Sequence, residues 1–383
     1  MLGWLLVIPM AVVGWWVALL DRVLKPSPGF PRDLAALARD PGWVRRELKL
    51  EGEVEVAPLT KTVAFRSESG FLRVGGHDFF VKHAPKVGSV WNRAIFNLQL
   101  NAVKEVQFNG EFLSQHPGLP APRAYVAKAS AVTGNLCLIT EKMTGAVEHR
   151  EDEPSLPQTH IDAAIDGLAA LHTRCWGSTT KLVMPITPGV VRWFSSLAAF
   201  SGWSPAARSL LVQSWLRMNE PQTVIHGDAR VGNMLFGSRF VLIDWQAVRL
   251  GRAAYDVAYF LLLSLPTAQR RAVQAQCLER YRAAVPAAAP ELDDDFRHGC
   301  VLTLVLLSLP LLSGEASADA EGAKVFVGGM GLWRERLRAA FEDFDFGWLS
   351  QAYGVTEAEG RAAVAEMSGV IERRLAGIAA RLR

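Results

Sequence analysis

The sequence of 383 residues contains only four cysteines, and they are widely scattered. Cys137, Cys175, Cys277 and Cys300 form neither a CxxC pair nor a cysteine–histidine cluster with the spacing that zinc requires. Isolated thiols of this kind are typical of reduced, mostly buried side chains in a reducing compartment. We therefore expect neither disulfides nor structural zinc.

The chain also has little net charge. Its 41 lysines and arginines nearly balance its 38 aspartates and glutamates, which leaves a formal charge of +3. A nucleic-acid-binding surface needs a dense basic face, so nucleic acid is not the expected partner. The length, with half of the residues hydrophobic, suits a two-lobed body with a substantial core and one additional segment.

Charged side chains are absent from Leu2–Leu20. A helix over this stretch would be about 30 Å long, which is enough to cross the hydrocarbon core of a bilayer. Trp4 lies near one end, and Trp15 and Trp16 lie near the other, where amphipathic rings favour the membrane interface. We therefore predict that residues 1–24 form an N-terminal apolar helix that spans the membrane.

The flanking charges predict the orientation of this segment. Basic residues such as Arg22, Lys25 and Arg32 follow it and outnumber those before it, so the body is expected on the cytoplasmic side of the cell membrane, as a single-pass protein. A cleaved signal peptide fits less well, because a basic n-region and a small-x-small cleavage site are absent. A helix or hairpin packed on the protein's own surface is the alternative that stays open.

The rest of the chain changes from strand-like to helical patterns. Residues 54–83 alternate or run apolar between turn residues, and a helix is predicted near residues 97–115. Residues 160–174 form one amphipathic helix, and most of the later chain is helical. This order predicts an α+β fold of two lobes, a β-rich N-lobe at residues 25–145 and a helical C-lobe at residues 146–383.

The segment VIHGDARVGNMLFGSRFVLIDWQ carries the chemistry. Asp228 is followed by Asn233 five residues later, and by Asp244 after a short hairpin. Magnesium-dependent phosphoryl transfer uses such a set. One carboxylate accepts or orients the proton of the attacking hydroxyl, while an amide oxygen and a second carboxylate hold Mg²⁺ against the nucleotide phosphates.

HGDxxxxN followed by IDW resembles the catalytic and metal-binding motifs of the aminoglycoside phosphotransferase/choline kinase superfamily. The resemblance implies a two-lobed, protein-kinase-like fold with ATP and Mg²⁺ as cofactors. It implies that Asp228 is the catalytic base, that Asn233 and Asp244 are the magnesium ligands, and that His226 and Gly227 shape the loop.

Other residues of the resemblance lie upstream, in the expected order. DFFVKHA reads as a strand with Lys82 near its end, in the position of the lysine that pairs with nucleotide phosphates. The following helix would supply Glu105 as its partner, with Glu111 as the alternative. LCLITEKMTG resembles the stretch that joins the two lobes, so the backbone from Glu141 to Met143 is expected to hold the adenine.

Two parts of this sequence do not match a defined motif of the superfamily. A Gly-rich GxGxxG loop is absent, and Ser67, Ser69 and Gly70 are the nearest candidates for covering the phosphates. Within the catalytic loop, Arg230 and Gly232 occupy variable positions to which we assign no role.

LAALHTRCWG, together with KEVQFNGEFL, PAPRAY and IDWQ, resembles the ecdysteroid kinase-like branch of the superfamily. His172 and Trp176 are four residues apart, and simple packing on one helix face is the interpretation we adopt for them. Asp256, near the start of a helix, is expected to brace the catalytic loop. The resemblance covers roughly residues 35–345.

We therefore predict an enzyme, a small-molecule kinase that transfers the γ-phosphoryl group of ATP to a hydroxyl of an apolar molecule. A polycationic acceptor would require clustered acids, and the clusters at residues 151–153 and 291–295 read as solvated loops. Aromatic bulk favours the apolar acceptor, and it comes from Trp176, Trp193, Trp203, Trp215 and Trp245.

Two other functions compete with this prediction. A membrane-tethered nucleotide-binding scaffold without turnover is the first, but Lys82, Asp228, Asn233 and Asp244 are all retained. A protein kinase is the second, and it is disfavoured because the segment reads HGD and IDW where protein kinases have HRD and DFG.

Overall fold

The structure is a computed structural model. It describes residues 29–31, 33–59, 67–84, 101–130, 135–180, 195–196, 198, 202–309 and 320–381. The predicted apolar segment at residues 1–24 lies outside the described residues. Within the described ranges, no helix combines the length and the apolar character that crossing a membrane requires.

The chain forms two compact units. The first contains the described residues as far as Gly145, together with Asp244–Ala247 and residues 320–322. The second contains Ala146–Ile243 and the remaining described residues from Val248 onwards. Asp244, which the sequence places in the helical half, therefore belongs to the first unit.

The first unit is built on a five-stranded antiparallel sheet in the order β1-β2-β3-β5-β4. Its strands are β1 (Val54–Pro58), β2 (Glu68–Val74), β3 (His77–Ala84), β4 (Ala124–Ala129) and β5 (Leu136–Glu141). Its helices are α1 (Leu34–Arg39), α2 (Pro41–Leu48) and α3, which begins as Asn101–Gln107, continues as a π-helical turn at Phe108–Phe112 and ends as Leu113–Gln115.

The alternation of side chains along β5 shows how this sheet is covered. Cys137 and Ile139 pack in the cluster that contains residues of α1 and α2, whereas Leu136 and Leu138 pack with Ala102 of α3. Successive residues of a strand point to opposite faces, so a strand that is apolar throughout must be covered on both sides. The helices α1 and α2 cover one face of the sheet, and α3 covers the other.

The second unit is mainly helical. Its strands are β6 (Val147–Glu148), β7 (Thr223–Ile225), β8 (Met234–Phe236), β9 (Phe240–Leu242) and β10 (Arg249–Gly251), with β6-β8-β9 in one small sheet and β10-β7 in another. Its helices are α4 (Gln158–Arg174), α5 (Pro205–Met218), α6 (Ala254–Ser264), α7 (Thr267–Ala284), α8 (Leu292–Ser308), most of α9 (Ala320–Glu342), α10 (Phe346–Tyr353) and α11 (Glu357–Arg381).

Helix α6 lies in the interior of the second unit. Every residue of this helix except Tyr259 is buried, because its sequence AYDVAYFLLLS is apolar around its whole circumference. Early strands followed by helices, with short strand pairs between, confirm the predicted α+β arrangement of a sheet-containing part and a helical part.

Candidate active site

The position of Lys82 follows from the pleat of β3. Lys82 pairs with Ser69 of β2 and with Leu138 of β5. The preceding residue, Val81, belongs to the core on the α1 and α2 side. Because adjacent residues of a strand point to opposite faces, Lys82 points to the face that α3 covers, and α3 carries Glu105.

Lys82 is the centre of a three-residue ion cluster within the first unit. Its Nζ lies 2.8 and 2.9 Å from Oε1 and Oε2 of Glu105, and 2.6 Å from Oδ1 of Asp244. The Glu105 side chain is 1% exposed and that of Asp244 is 27% exposed, so only the latter offers an accessible carboxylate. The predicted contact between Lys82 and Glu105 is present, whereas the alternative, Glu111, is exposed on the π-helical turn.

Electrostatics keep the Lys82 ammonium charged. Burial by itself would lower the pKa of Lys82, but the carboxylates of Asp244 and Glu105 outweigh it and raise that pKa. Burial also raises the pKa of Glu105 against the attraction of Lys82, so burial opposes the ionised form of this carboxylate. The geometry supports the ionic form, because both Glu105 oxygens accept from one ammonium group.

Asp244 has a backbone conformation that few residues adopt. Its φ is +64°, in the left-handed region, where aspartate is tolerated better than most residues. The next residue, Trp245, is buried and stacks on Phe108 of α3, with ring centroids 4.0 Å apart. Gln246 Nε2 donates to Asp244 Oδ2 at 3.3 Å. These contacts fix the Asp244 segment against the helix that also carries Glu105.

Part of the segment that was expected to hold the adenine forms hydrogen bonds within the sheet. The backbone N–H of Glu141 donates to the carbonyl of Arg123 at 2.9 Å, and Glu141 Oε1 accepts from the Arg123 N–H at 2.6 Å. The Glu141 carbonyl accepts from the Thr140 hydroxyl at 3.3 Å. That the backbone from Glu141 to Met143 holds the adenine stays a prediction.

The serine- and glycine-containing segment that was predicted to cover the phosphates lies in β2 and directly before it. Ser69 and Gly70 lie within β2, and a Cβ at Gly70 would be 2.7 Å from the Ala57 carbonyl oxygen. Glycine is therefore required here for the close approach of β1 and β2. Residues 60–66, which precede Ser67, lie outside the described residues.

In the second unit, β7 leads directly into the catalytic loop. Gly227 has φ +81°, a conformation that favours glycine and that turns the chain between His226 and Asp228. His226 Nε2 donates to the Ile243 carbonyl at 2.9 Å, and its Nδ1 accepts from the Asp228 N–H at 3.3 Å. The two contacts assign the proton of the imidazole to Nε2. His226 thus shapes the loop, as the motif predicts.

The amide of Asn233 is oriented by Asp228. Asn233 Nδ2 donates to the Asp228 backbone carbonyl at 2.8 Å and to its Oδ2 at 2.9 Å. Tyr259 of α6 also hydrogen-bonds the Asp228 carboxylate, and burial, together with that carboxylate, raises the pKa of Tyr259 well above its ordinary value. The hydroxyl of Tyr259 is therefore the donor. With its nitrogen committed to Asp228, Asn233 has Oδ1 as the atom for a cation.

Asp256 of α6 braces the catalytic loop by accepting hydrogen bonds from its backbone, as predicted. Its Oδ2 and Oδ1 accept from the backbone N–H groups of His226 at 2.6 Å and Gly227 at 2.9 Å. His172 lies behind it, with Nε2 3.2 Å from Asp256 Oδ2 and Nδ1 2.7 Å from the Tyr281 hydroxyl. Burial alone would raise the pKa of Asp256, but its hydrogen bond from His172 and the other donors around it lower that pKa.

The interpretation of His172 as simple packing is therefore wrong. The side chain is fully buried, and both of its ring nitrogens have polar partners. Its sequence signal is a histidine on the buried face of an amphipathic helix, which does not distinguish packing from a hydrogen-bonded role. The partners come from residues 256 and 281, far away in the chain.

Arg230 is a loop residue that sequence reasoning missed. Its Nη1 forms an ion pair with Glu151, its Nε lies 3.5 Å from Asp228 Oδ1, and its guanidinium lies 5.8 Å from the centre of the Trp333 ring. Burial would lower the pKa of Arg230, but Asp228 and Glu151 raise it, so the side chain stays a cation. The single sequence signal was a basic residue two positions after Asp228.

The letters D-F-G and A-P-E do occur in the chain, but in other roles. Asp345, at the start of DFG, caps α10 by accepting from the Trp348 N–H at 3.0 Å. Glu291, at the end of APE, pairs with Arg217 and Arg252. These residues serve a helix cap and a surface ion cluster, so they do not carry the functions that the strings have in protein kinases.

Asn233 and Asp244 each offer an oxygen of the type that Mg²⁺ prefers. In the described part of the chain, groups of three or more histidine, cysteine, aspartate or glutamate side chains that could hold a metal are absent. The carboxylate of Asp244 and the amide oxygen of Asn233 are hard oxygen donors, and Mg²⁺ needs few protein ligands when phosphate oxygens and water complete its shell.

Comparisons with known proteins agree with this site. The sequence model described as "Phosphotransferase enzyme family" matches residues 71–292, which is more than half of the chain. No curated protein sequence matches significantly. A crystal structure of a protein described as an aminoglycoside phosphotransferase, from Ralstonia eutropha JMP134, is 15% identical, with a TM-score of 0.51. The match covers 79% of this chain and 97% of that one, and it shows a shared fold.

Two further solved structures are similar at lower scores. A thermostable mutant of aminoglycoside phosphotransferase APH(4)-Ia, in a ternary complex with ADP and hygromycin B, is 13% identical over 78% of this chain and 97% of that one, with a TM-score of 0.46. A microcompartment-associated aminopropanol kinase is 13% identical over the same shares, with a TM-score of 0.45. The family match covers most of the sheet-containing unit and the catalytic loop. The chain therefore belongs to the phosphotransferase enzyme family.

Proposed function

We propose that the protein is an ATP-dependent phosphotransferase that moves the γ-phosphoryl group to a hydroxyl of a small molecule. The observation that carries this proposal is the buried ammonium of Lys82, which is held by Glu105 and by the more exposed Asp244. A fixed cation beside an accessible carboxylate suits a nucleotide phosphate and its metal. The catalytic loop supports the same function, because Asp228 is held by the amide of Asn233.

In the proposed reaction, Lys82 binds the nucleotide phosphates, and the backbone of Glu141 and Met143 binds the adenine. Asp228 orients the acceptor hydroxyl and takes its proton. The acceptor oxygen forms a bond to the γ-phosphorus as the bond from that phosphorus to the bridging oxygen breaks, and ADP leaves. Mg²⁺, which Asn233 and Asp244 would hold, supplies charge neutralisation on the phosphate oxygens.

We further propose that the acceptor is not a polycation, because the acidic cluster at residues 151–153 is neutralised within the unit. Glu151 is paired with Arg230, and Asp152 is paired with Arg150 at 2.8 Å. Glu153 accepts from the Arg150 N–H at 2.8 Å and also pairs with a histidine. Each acid already has a donor of its own, so the cluster offers little free negative charge to an amino sugar.

Two of the four acids in the second cluster, at residues 291–295, are likewise paired, each with two arginines. Glu291 and Asp295 both pair with Arg217, at 3.0 and 2.8 Å respectively. Both also pair with Arg252. This arrangement favours a neutral or apolar hydroxyl compound over an aminoglycoside.

The tryptophans give less support to an apolar pocket than the sequence predicted. Trp203, Trp215 and Trp245 are buried side chains of the core. Trp193 lies outside the described residues, and Trp176 is partly exposed. The apolar acceptor therefore depends on the neutralised acids and on the apolar N-terminal segment, rather than on aromatic bulk.

Two finer assignments rest on the sequence alone. We propose the ecdysteroid kinase-like branch on the resemblance of LAALHTRCWG and its companion motifs. We also propose that residues 2–20 anchor the protein in the cell membrane with its catalytic part on the cytoplasmic side, because they lack charged side chains and are followed by basic ones.

The decisive experiment is transfer from γ-labelled ATP with Mg²⁺ into a library of hydroxylated lipids, steroids, acyl-CoAs and amino sugars. Asp228→Asn should retain Mg²⁺-ATP binding and lose transfer, whereas Asp244→Asn should lose metal-dependent nucleotide binding. Equal loss of binding in both variants would show that these roles are wrongly assigned. Clear Mg²⁺-ATP binding by the wild type without transfer to any acceptor would favour a nucleotide-binding scaffold.

A further inference from the structure

We propose that Arg230 is a positioning residue for Asp228 and that Glu151 in turn fixes Arg230. This inference rests on the proposed function, since it assigns Asp228 to the acceptor hydroxyl. The ion pair of Arg230 with Glu151 is called the loop bridge below. It connects the catalytic loop with the segment that follows β6; Arg230 occupies a variable position of the HGDxxxxN motif, and Glu151 lies outside that motif.

Besides the hydroxyl of Tyr259, two side chains hold the carboxylate of Asp228. Its Oδ2 accepts from Asn233 Nδ2 at 2.9 Å, and its Oδ1 faces Arg230 Nε at 3.5 Å. The second distance is longer than an N–H···O hydrogen bond, so this contact is an electrostatic one. Rotation of the carboxylate would break the first contact and weaken the second.

Arg230 is itself fixed by groups from two other segments. Its Nη1 pairs with Glu151, and its guanidinium lies against the ring of Trp333 on α9. Arg336, also on α9, donates to the backbone carbonyls of Glu151 and of Leu263 on α6. Arg336 is 3% exposed, so this support for the loop bridge is built into the interior of the second unit.

Gly232 leaves space for the loop bridge. A Cβ at this position would be 2.6 Å from Arg230 Nη1 and 2.6 Å from Glu151 Oε1. Both atoms are the ends of flexible side chains, and Gly232 does not have a positive φ. A methyl group here would therefore displace the ion pair without straining the backbone, which makes Gly232→Ala a selective test.

Positioning of this kind acts on the chemical step. The proton of the acceptor hydroxyl moves to Asp228 as the new O–P bond forms, so the carboxylate must point at that hydroxyl. A misplacement of about 1 Å can reduce a rate by roughly a hundredfold. Nucleotide binding should not change, because it is assigned to Lys82, Glu105 and Asp244 of the first unit.

The test measures kcat and the KM for ATP with the best acceptor from the library, or with water as the acceptor if none is found. The variants are Arg230→Met, Glu151→Gln, the double variant and Gly232→Ala. The matched control is Arg150→Met, since Arg150 is adjacent to Glu151 but its pair with Asp152 is exposed. We expect Arg230→Met to lower kcat by roughly 10- to 100-fold with the KM for ATP nearly unchanged.

The double variant should be no slower than Arg230→Met alone, because the two residues act through one contact. Gly232→Ala should also lower kcat, and Arg150→Met should not. Independent, multiplicative effects of Arg230→Met and Glu151→Gln, or a kcat of Arg230→Met equal to that of Arg150→Met, would overturn the proposal.

Rates of amide hydrogen exchange test the loop bridge independently of the proposed function. The amides of Arg230 and Asn233 donate to carbonyls within the loop, at 2.9 and 2.8 Å. Glu151→Gln should accelerate their exchange, and Arg150→Met should not. If the wild type transfers phosphoryl to no acceptor, the proposed function fails, while faster exchange in Glu151→Gln still supports the loop bridge. Unchanged exchange would refute the bridge whatever the activity.

Discussion

The Oδ2 atom of Asp256 lies 2.6 Å from the backbone nitrogen of His226. The same carboxylate accepts from the Gly227 N–H through its other oxygen, so two adjacent amides of the catalytic loop converge on one side chain. Asp256 is fully buried on α6 and has His172 as a further donor. The conformation of the loop before Asp228 is thus determined by an interior helix.

Asp256→Asn should destabilise the fold and impair turnover. An asparagine can present one oxygen to these amides, but its NH₂ group must face a donor, and such a buried mismatch costs roughly 1–3 kcal/mol. Urea unfolding of this variant, followed by circular dichroism, measures the loss. Asp166→Asn is the control, since Asp166 pairs with Arg280 on the surface and should lose less than about 1 kcal/mol. Equal losses in both variants would contradict the bracing role.

Lys82→Met should destabilise the first unit because it leaves the Glu105 carboxylate buried without its cation. Removing one partner of a buried pair costs about 3–5 kcal/mol, and Lys82→Met/Glu105→Gln should recover most of that loss. Neither variant should bind Mg²⁺-ATP. Thermal unfolding and nucleotide titration measure the two effects separately.

Lys128→Met is the matched control for Lys82, because Lys128 pairs with Glu47 but both side chains are about a third exposed. It should change stability and nucleotide binding little. Retained stability in Lys82→Met would show that Glu105 is not dependent on this ammonium.

His83 should make the fold sensitive to acid. Burial lowers the pKa of His83 from 6.5 to about 4, against the opposing effects of Asp33 and a backbone hydrogen bond. The folded state therefore keeps the ring neutral while the unfolded chain protonates below pH 6.5, so the free energy of unfolding falls as the pH drops from 6.5 towards 4. The total fall in the free energy of unfolding is about 3 kcal/mol, because one pKa unit corresponds to about 1.36 kcal/mol.

His83→Leu should flatten this part of the pH dependence, as measured by urea unfolding between pH 4 and 7. His77→Leu is the control, because His77 lies on the same strand but is exposed. Similar pH slopes for His83→Leu and the wild type would show that protonation of His83 does not limit stability.

Deletion of residues 1–24 should release the protein from membranes without unfolding it. The expectation rests on the uncharged stretch Leu2–Leu20. Membrane flotation of the full chain and of the truncated chain measures the release, and Mg²⁺-ATP binding measures whether the truncated chain is folded. An insoluble or nucleotide-deficient truncated chain would show that the segment is part of the fold.

Local patterns predicted the elements that bear the site. The alternation in DFFVKHA predicts a strand, and the spacing of Ile161, Ile165 and Leu168 predicts a helix that the structure confirms as part of α4. The contact between Lys82 and Glu105 was also predictable, since it requires only a strand followed by a helix on one face of the sheet. Each of these inferences depends on periodicity within a short window.

Contacts between distant segments were not predictable in this way. Glu151 and Arg230 are 79 residues apart, and His172 and Asp256 are 84 residues apart. Each residue taken singly has an ordinary sequence context, an acidic stretch or an amphipathic helix. Only the packing of α4 and α6 with the loop gives these side chains their partners.

The sequence by itself determined the class of reaction, a phosphoryl transfer, and the order of strands and helices, and it predicted that Lys82, Asp228, Asn233 and Asp244 would carry that reaction. It did so because phosphoryl transfer needs a few fixed donors, which a short motif can contain. The tertiary structure alone decided how those donors are held: the left-handed backbone of Asp244, the brace from Asp256, and the loop bridge of Arg230 with Glu151. The physical reason is that burial and hydrogen bonding depend on what packs nearby, and that neighbourhood is formed by residues far apart in the chain.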